Sequence, residues 1–215
     1  HFSFLSQLAY NSEILSKFVA MNYKVQRYLH WLRRIKYCRG FGVQSPSVYR
    51  FIRYVINEHY PYYAYDELRK ELPRLDSLTR KRMELYFRVA NFRQASLWLD
   101  FCERNDVIAT YVGRGCHATQ VRRITDLRQI TADDRIEVLR ICPTAGSEAV
   151  LEAALQQADD HTLFIIEDIG YNDTAKRMWQ KLLESDITSV SYDLYYLGIA
   201  FFDRKRYKNN YIVNF

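Results

Sequence analysis

The chain has 215 residues, of which 48% are hydrophobic and 15% aromatic, and it carries a net charge of +6. That is enough apolar material for one full α/β core with a helical extension, and the charge permits an anionic partner without demanding one. No run of 18 or more apolar residues exists, which excludes a helical membrane span, and the four cysteines at 38, 102, 116 and 142 form no C-x-x-C pair, which argues against a zinc or redox motif. Scattered, apolar-flanked thiols fit a reducing cytoplasm.

The chain begins with His1 rather than Met, and Met21 is compatible with a natural start. Phe4, Leu5, Leu8, Ile14, Leu15, Phe18 and Val19 recur at helical spacing, but the run lacks the basic leader and clean apolar block of a secretory signal. Residues 22–57 then hold eight Lys or Arg and no Asp or Glu. One reading of segment 24–39 is a basic, aromatic-laced surface for nucleic acid or another polyanion. The favoured reading is an amphipathic helix whose Leu29, Leu32 and Ile35 face the core while its arginines snorkel.

Gly40 to Ser47 reads as a turn into a helix, with Ser45 as cap and Pro46 at the first helical position. Val48, Phe51, Ile52, Val55 and Ile56 make its apolar face. Tyr60-Pro-Tyr-Tyr-Ala-Tyr leads into a short helix, and its rings, with His59, either border an acceptor pocket or pack one subdomain on another. A further helix covers 78–92. Ser96 to Phe101 is the first strand, and residues 106–111 fit either a helix or a strand. Further strands are expected at 119–124 and 135–141. Ser147 is placed to cap a helix reaching Ala158.

Residues 163–166 are continuously apolar, as a strand covered on both faces should be. Its carboxyl end delivers Glu167 and Asp168 to the edge where ligands of open α/β sheets bind. Asn172, Asp173 and Thr174 are N-cap types before a helix with Ala175, Met178, Trp179, Leu182 and Leu183 on one face. Thr188 to Tyr196 reads as a strand, with Gly198 separating it from a last strand at 199–202. The alternation after residue 96 predicts a mostly parallel sheet with crossover helices. The expected division is a helical extension over 1–94 and a doubly wound domain over 95–215.

Gly40-Phe-Gly-Val-Gln-Ser-Pro-Ser-Val-Tyr, Tyr60-Pro-Tyr-Tyr, Phe164-Ile-Ile-Glu-Asp-Ile, Asp193-Leu-Tyr-Tyr-Leu-Gly-Ile-Ala-Phe-Phe and Tyr211-Ile-Val-Asn-Phe resemble a group of bacterial class I S-adenosylmethionine-dependent methyltransferases, over roughly residues 22 to 215. The resemblance implies a Rossmann-like sheet whose last strand is antiparallel. It also implies S-adenosylmethionine at the turn after the first strand, where Asp100, Cys102, Glu103 and Asn105 stand, with Asp126 as the ribose ligand at the end of the second strand. By the same resemblance Glu167, Asp168 and Tyr171, with Tyr62 and Tyr63, would border the acceptor.

Three features depart from that pattern. The turn Asp100-Phe-Cys-Glu-Arg-Asn-Asp contains no glycine, so side chains occupy the space of the ligand and a positive φ becomes expensive. The stretch between Asp126 and the strand at 135 is too short for a crossover unit, so the sheet is abridged in its middle. Arg140 stands on the strand that would end beside the cofactor, near enough in the topology to pair with Glu167 and Asp168. A rival placement makes 107–112 a strand and Gly113-Arg-Gly-Cys-His-Ala a G-x-G-x-x-A phosphate turn, with Asp133 or Asp134 as the distal acid; otherwise these glycines end a helix. His117 stands alone, with no acid or nucleophile near it in the sequence.

The favoured function is therefore a methyltransferase-like protein whose cofactor site is degenerate and which works by binding an unknown small molecule or protein, a pseudoenzyme in the cytoplasm. The alternatives are an active O- or N-methyltransferase on a small acceptor and, more weakly, a polyanion-binding protein. No metal site is expected, and the sequence fixes no oligomeric state.

Overall fold

The computed structural model describes residues 25–40, 42–103, 107–130 and 135–215. The expectations for residues 2–20, Asn105, Asp133 and Asp134 lie outside the described residues. In chain order the elements are helix α1 over 25–33, a 3₁₀ turn Ile35–Gly40, α2 Pro46–Phe51 continuing into a π turn Ile52–Ile56, α3 Tyr63–Glu71 and α4 Ser77–Arg93. There follow β1 Leu97–Phe101, α5 Val107–Gly115, β2 Gln120–Arg123, β3 Val138–Ile141, α6 Ser147–Gln157, β4 Leu163–Glu167, α7 Asp173–Glu184, β5 Val190–Asp193, β6 Leu197–Phe201 and β7 Asn209–Ile212.

The seven strands form one sheet in the order β2-β1-β3-β4-β6-β5-β7. β2, β1, β3 and β4 are mutually parallel, β6 runs against both β4 and β5, and β7 pairs parallel with β5. The antiparallel strand is thus β6, and the tail adds one more parallel strand beyond it. β1 connects to β2 on one side and lies next to β3 on the other, so the crevice between the β1 and β3 carboxyl ends is a topological switch point. Among the described residues no strand lies between Arg123 and Val138, consistent with the abridged middle.

Period-two alternation divides the strands between two hydrophobic layers. Trp98, Val138, Leu163, Ile165 and Ile199 pack with α2, the π turn, α4 and α5, while Leu99, Leu139, Phe164, Ile166 and Ala200 pack with α6 and α7. The helices before residue 95 therefore share a core with the sheet. Buried Arg88 of α4 fastens them, donating to the carbonyls of Val55 (2.6 Å) and Ile56 (3.2 Å) and to the Tyr65 hydroxyl (3.1 Å). Carbonyls at a helix end have no intrahelical donor, so a cation there satisfies them.

Gly115 and Gly198 are among the glycines fixed by close approach. A Cβ on Gly115 would stand 2.3 Å from the Phe87 carbonyl oxygen, so α5 packs on α4 nearly backbone to backbone. A Cβ on Gly198 would stand 2.5 Å from the Trp179 ring. Gly198 lies inside β6, not between strands; the turn is made instead by residues 194–196, with Tyr195 at φ 69°.

Other expectations need correction. Residues 107–115 are helical, which removes the strand required by the G-x-G-x-x-A reading; Gly113 and Gly115 end α5. Ser147 does not cap α6, whose N-cap is Gly146, and Ser45 occupies the N-cap of α2 without accepting a backbone hydrogen bond. Asn172 does cap α7, accepting from the Ala175 amide at 3.0 Å. Leu29, Leu32 and Ile35 are exposed rather than core-facing, because the polar side of α1 is the side that docks. Cys102 and Cys142 are joined in a disulfide, while Cys116 is a buried free thiol. Disulfides persist in oxidising compartments, so this pair removes the support that scattered thiols lent to a reducing one. Among the described residues no helix is long and apolar enough to cross a membrane.

Candidate functional site

The carboxyl edge of the sheet gathers most of the residues singled out in the sequence. Asp100 and Arg140 lie in register on neighbouring strands, and both point to the α4 face with Glu167 one rung further on β4. Arg140 Nη1 donates to Asp100 at 2.9 Å and its Nε to Glu167 at 2.8 Å. From α4, Arg82 donates to Glu167 at 3.0 Å and lies 3.0 Å from the Asp168 carboxylate, and the Tyr86 hydroxyl donates to Glu167. Tyr171 closes the chain, accepting from Arg82 at 2.7 Å and donating to Asp168.

Two guanidinium groups thus serve three carboxylates, nearly all of them out of water. Burial alone would raise the Glu167 carboxyl, but Arg140, Arg82 and the Tyr86 hydroxyl together hold it below the usual carboxylate range. Burial pushes Asp100 up, and the neighbouring Glu167 carboxylate adds to it, against the pull of Arg140 and Arg123. Tyr86 and Tyr171 are pushed up by burial and by the carboxylates beside them, so both remain neutral donors. Asp168 sits at φ 63°, and its amide donates to the Tyr196 carbonyl at 2.7 Å, tying the end of β4 to the β5–β6 turn. A non-glycine residue in that region is held there only by its surroundings.

The switch point is also closed covalently. Cys102 follows β1 and Cys142 follows β3, with Cα atoms 5.0 Å apart, and the Cys142 amide donates to the Phe101 carbonyl at 2.9 Å. Arg123 of β2 laces the same turn, donating to the carbonyls of Cys102 (3.1 Å) and Glu103 (3.2 Å). Asp126 lies exposed past β2, where its carboxylate accepts from the Arg128 amide at 2.9 Å and opens a 3₁₀ turn.

The structure therefore brings together Asp100, Arg140, Glu167, Asp168 and Tyr171. It does not bring Tyr62 and Tyr63 to them: Tyr62 packs on Tyr60, Tyr65 and Phe87, and Tyr63 is 93% exposed at the start of α3. The Glu58 carboxylate caps the amides of His59 and Tyr60, and His117 is exposed. Arg82 and Tyr86 escaped the sequence reading. Their signal is two polar groups four residues apart in the apolar run of α4, which places both on one helix face.

Beside this network the edge opens into a groove between α1, the start of α4 and the β5–β6 turn. His30 Nε2 lies 2.8 Å from the Tyr195 hydroxyl, and Arg34 donates to the Asp193 carboxylate at 3.0 Å and to the Val213 carbonyl at 3.3 Å. These contacts explain why the polar side of α1 faces inward. The cavities here are lined by Arg27, Lys81, Tyr195, Tyr196 and Tyr171 among others, and neither touches Asp100, Cys102, Glu103 or Asp126. Among the described residues no cluster of His, Cys, Asp and Glu is arranged to hold a metal ion.

No family model matches the chain, and no curated protein matches it. Among solved structures it is similar to a Staphylococcus aureus protein provisionally named a caffeoyl-CoA O-methyltransferase, at 13% identity and a TM-score of 0.44, covering 65% of this chain and 92% of the other. The strand order and directions described above are those of a Rossmann-like, mostly parallel α/β sheet with one antiparallel strand.

S-adenosylmethionine is the cofactor the sequence resemblance implies, and the described residues at the β1–β3 crevice do not fit it. A nucleoside-bearing ligand at the switch point needs a close backbone approach and a carboxylate free to accept its hydroxyls. Here a disulfide spans the two strand ends, the turn after β1 carries Cys102 and Glu103 where glycines would be needed, and Asp100 is buried against Arg140, while Asp126, the acid the resemblance assigns to the ribose, is exposed and already accepts from the Arg128 amide.

Proposed function

We propose that this chain is a methyltransferase-type fold that no longer uses S-adenosylmethionine and acts by binding rather than by methyl transfer. The observation that carries this reading is the double closure of the switch point, by Cys102–Cys142 at the strand ends and by Asp100–Arg140–Glu167 beneath them. Inserting a ligand there would separate Asp100 from Arg140, and an uncompensated buried charge costs about 3–5 kcal/mol. The groove beside Tyr171, Tyr195 and Tyr196, at the same edge of the sheet, is the binding surface this reading favours.

Isothermal titration with S-adenosylmethionine tests the proposal, performed on the oxidised protein and again after reduction by a dithiol. No heat of binding is expected in either state. Micromolar binding by the oxidised chain would overturn the closed-edge reading. Binding only after reduction would show that the disulfide alone closes the site, and would restore the active-enzyme alternative.

A further inference from the structure

Helix α1 is mounted the opposite way from an ordinary surface helix, which turns its apolar stripe toward the core. Its inward contacts are polar. His30 Nε2 lies 2.8 Å from the Tyr195 hydroxyl, Arg34 donates to the Asp193 carboxylate at 3.0 Å, and the Asn214 side-chain amide donates to the Trp31 carbonyl at 3.1 Å. The stripe Val25, Tyr28, Leu29 and Leu32, at helical spacing, lies on the other side, and Ile35 prolongs it into the 3₁₀ turn. These five side chains are 38–60% exposed.

Rings and charges border the stripe. Tyr28 and Trp31 stack with centroids 6.3 Å apart and planes at 17°. Trp31 is exposed, whereas Trp98 and Trp179 are buried. Arg27 and Arg34 are engaged with Ser77 and Asp193. Arg33 and Lys36 are exposed, and among the described residues neither meets a carboxylate; Lys36 lies over the Tyr37 ring at 5.0 Å. No Asp or Glu occurs between residues 22 and 57, so α1 and its continuation carry no acid to offset these two.

We propose that α1 seats the chain on an anionic phospholipid surface. Leu29 and Leu32 dip toward the acyl chains, Tyr28 and Trp31 stand at headgroup level, and Arg33 and Lys36 meet the lipid phosphates. Apolar side chains gain by leaving water, Trp and Tyr favour the membrane–water boundary, and exposed Lys and Arg are drawn to anionic lipid. An apolar groove on another protein would take the stripe and leave the two cations unused; an anionic bilayer engages stripe, rings and cations together. No described helix is long and apolar enough to cross a membrane, so α1 lies in the plane of the surface. This inference goes beyond the reading of the switch point and does not depend on it.

The test is flotation of the full chain with mixed phosphatidylcholine–phosphatidylglycerol vesicles, with pure phosphatidylcholine vesicles as the neutral control. Binding to the mixed vesicles should be about tenfold or more tighter, with a blue shift of tryptophan emission that Trp31→Phe removes. Leu29→Gln combined with Leu32→Gln should weaken binding about tenfold and leave the melting temperature unchanged, because both side chains face away from the fold. Arg33→Gln combined with Lys36→Gln should abolish the preference for the anionic vesicles. No binding to mixed vesicles, equal binding to both kinds, or binding undiminished by the leucine pair would each overturn the proposal. A clear fall in melting temperature in the leucine pair would mean that the chain itself covers the stripe, and self-association that the pair abolishes would mean that a second copy does; either would also overturn it. Binding of S-adenosylmethionine would refute the closed edge and leave the vesicle result standing, whereas silence toward both would do the reverse.

Discussion

The two halves of the sheet's carboxyl edge are built on opposite plans. Over β1 and β3 the strand ends are bonded to each other, by a disulfide and by buried ion pairs. Over β4 and the β5–β6 turn the backbone bends away through two left-handed residues, Asp168 and Tyr195, and leaves a groove walled by rings. Interstrand contacts that satisfy one another leave nothing for a ligand; contacts made around a turn leave faces of side chains unpaired. The fold thus keeps a ligand-sized space over β4 and the β5–β6 turn, on the side where the family resemblance implies the acceptor rather than the cofactor.

The comparison breaks first at Arg140. Arg140→Met strands Asp100 and leaves Glu167 with Arg82 as its remaining cation, and a loss of about 3–5 kcal/mol in urea denaturation is expected. Adding Asp100→Leu should recover much of that loss, since an apolar pair of similar volume serves a buried site about as well. A loss below about 1 kcal/mol in the single variant would mean that the network does not hold the closed half together.

The disulfide comes next. Cys102 and Cys142 are 40 residues apart, and loop closure of that length corresponds to about 3–4 kcal/mol. Cys102→Ser with Cys142→Ser should lower stability by roughly that amount, within the usual 2–4 kcal/mol, without opening a site for S-adenosylmethionine. Thermal melts of oxidised and reduced protein check the first part, and titration checks the second.

Gly115 sets how closely α5 lies on α4, the helix that carries Arg82 and Tyr86 to the edge. Because the atom a new Cβ would meet is backbone, Gly115→Ala should cost about 1–3 kcal/mol, whereas the same change at Gly113, with open space around it, should be nearly neutral. Equal effects at the two positions would contradict the close approach.

The smallest expected effect lies at the start of α4, on the open half. The Asp76 carboxylate accepts from the amides of Leu78 (2.9 Å) and Thr79 (3.1 Å), so Asp76→Ala should cost about 1 kcal/mol. Burial pulls its carboxyl up, but those hydrogen bonds and Arg27 outweigh it and hold the group below its ordinary value. The folded state therefore binds the proton more weakly than the unfolded one. The cap's contribution is fully present above about pH 4 and is lost as pH falls through the lower folded value. A wild-type minus Asp76→Ala stability difference that does not shrink on acidification would refute this assignment.

Local physics made much of this legible. Leu163 to Ile166 is apolar at every position because β4 is covered on both faces, and Asn172 marks the start of α7 because its side chain can reach the Ala175 amide three residues on. Glu167 and Asp168 were placed at the carboxyl edge by the end of that apolar run, and the pairing of Arg140 with Glu167 is also met. The inward side of α1 was misread. Leu29, Leu32 and Ile35 share a helical face, but His30 and Arg34 have partners in Tyr195 and Asp193 more than 150 residues away, which no local pattern signals.

The sequence by itself determined the alternation of strands and helices, the acids at the end of β4 and the absence of glycine after β1, since each is a property of neighbouring residues. Only the tertiary structure decided that Cys102 meets Cys142, that Arg82 and Tyr86 cross from α4 to Glu167, and that α1 turns its polar face to the β5–β6 turn. Those pairings depend on the parallel register of β1 and β3 and on one helix lying across the sheet. Such contacts join residues far apart in the chain, and periodicity, which compares a residue only with its near neighbours, carries no record of them.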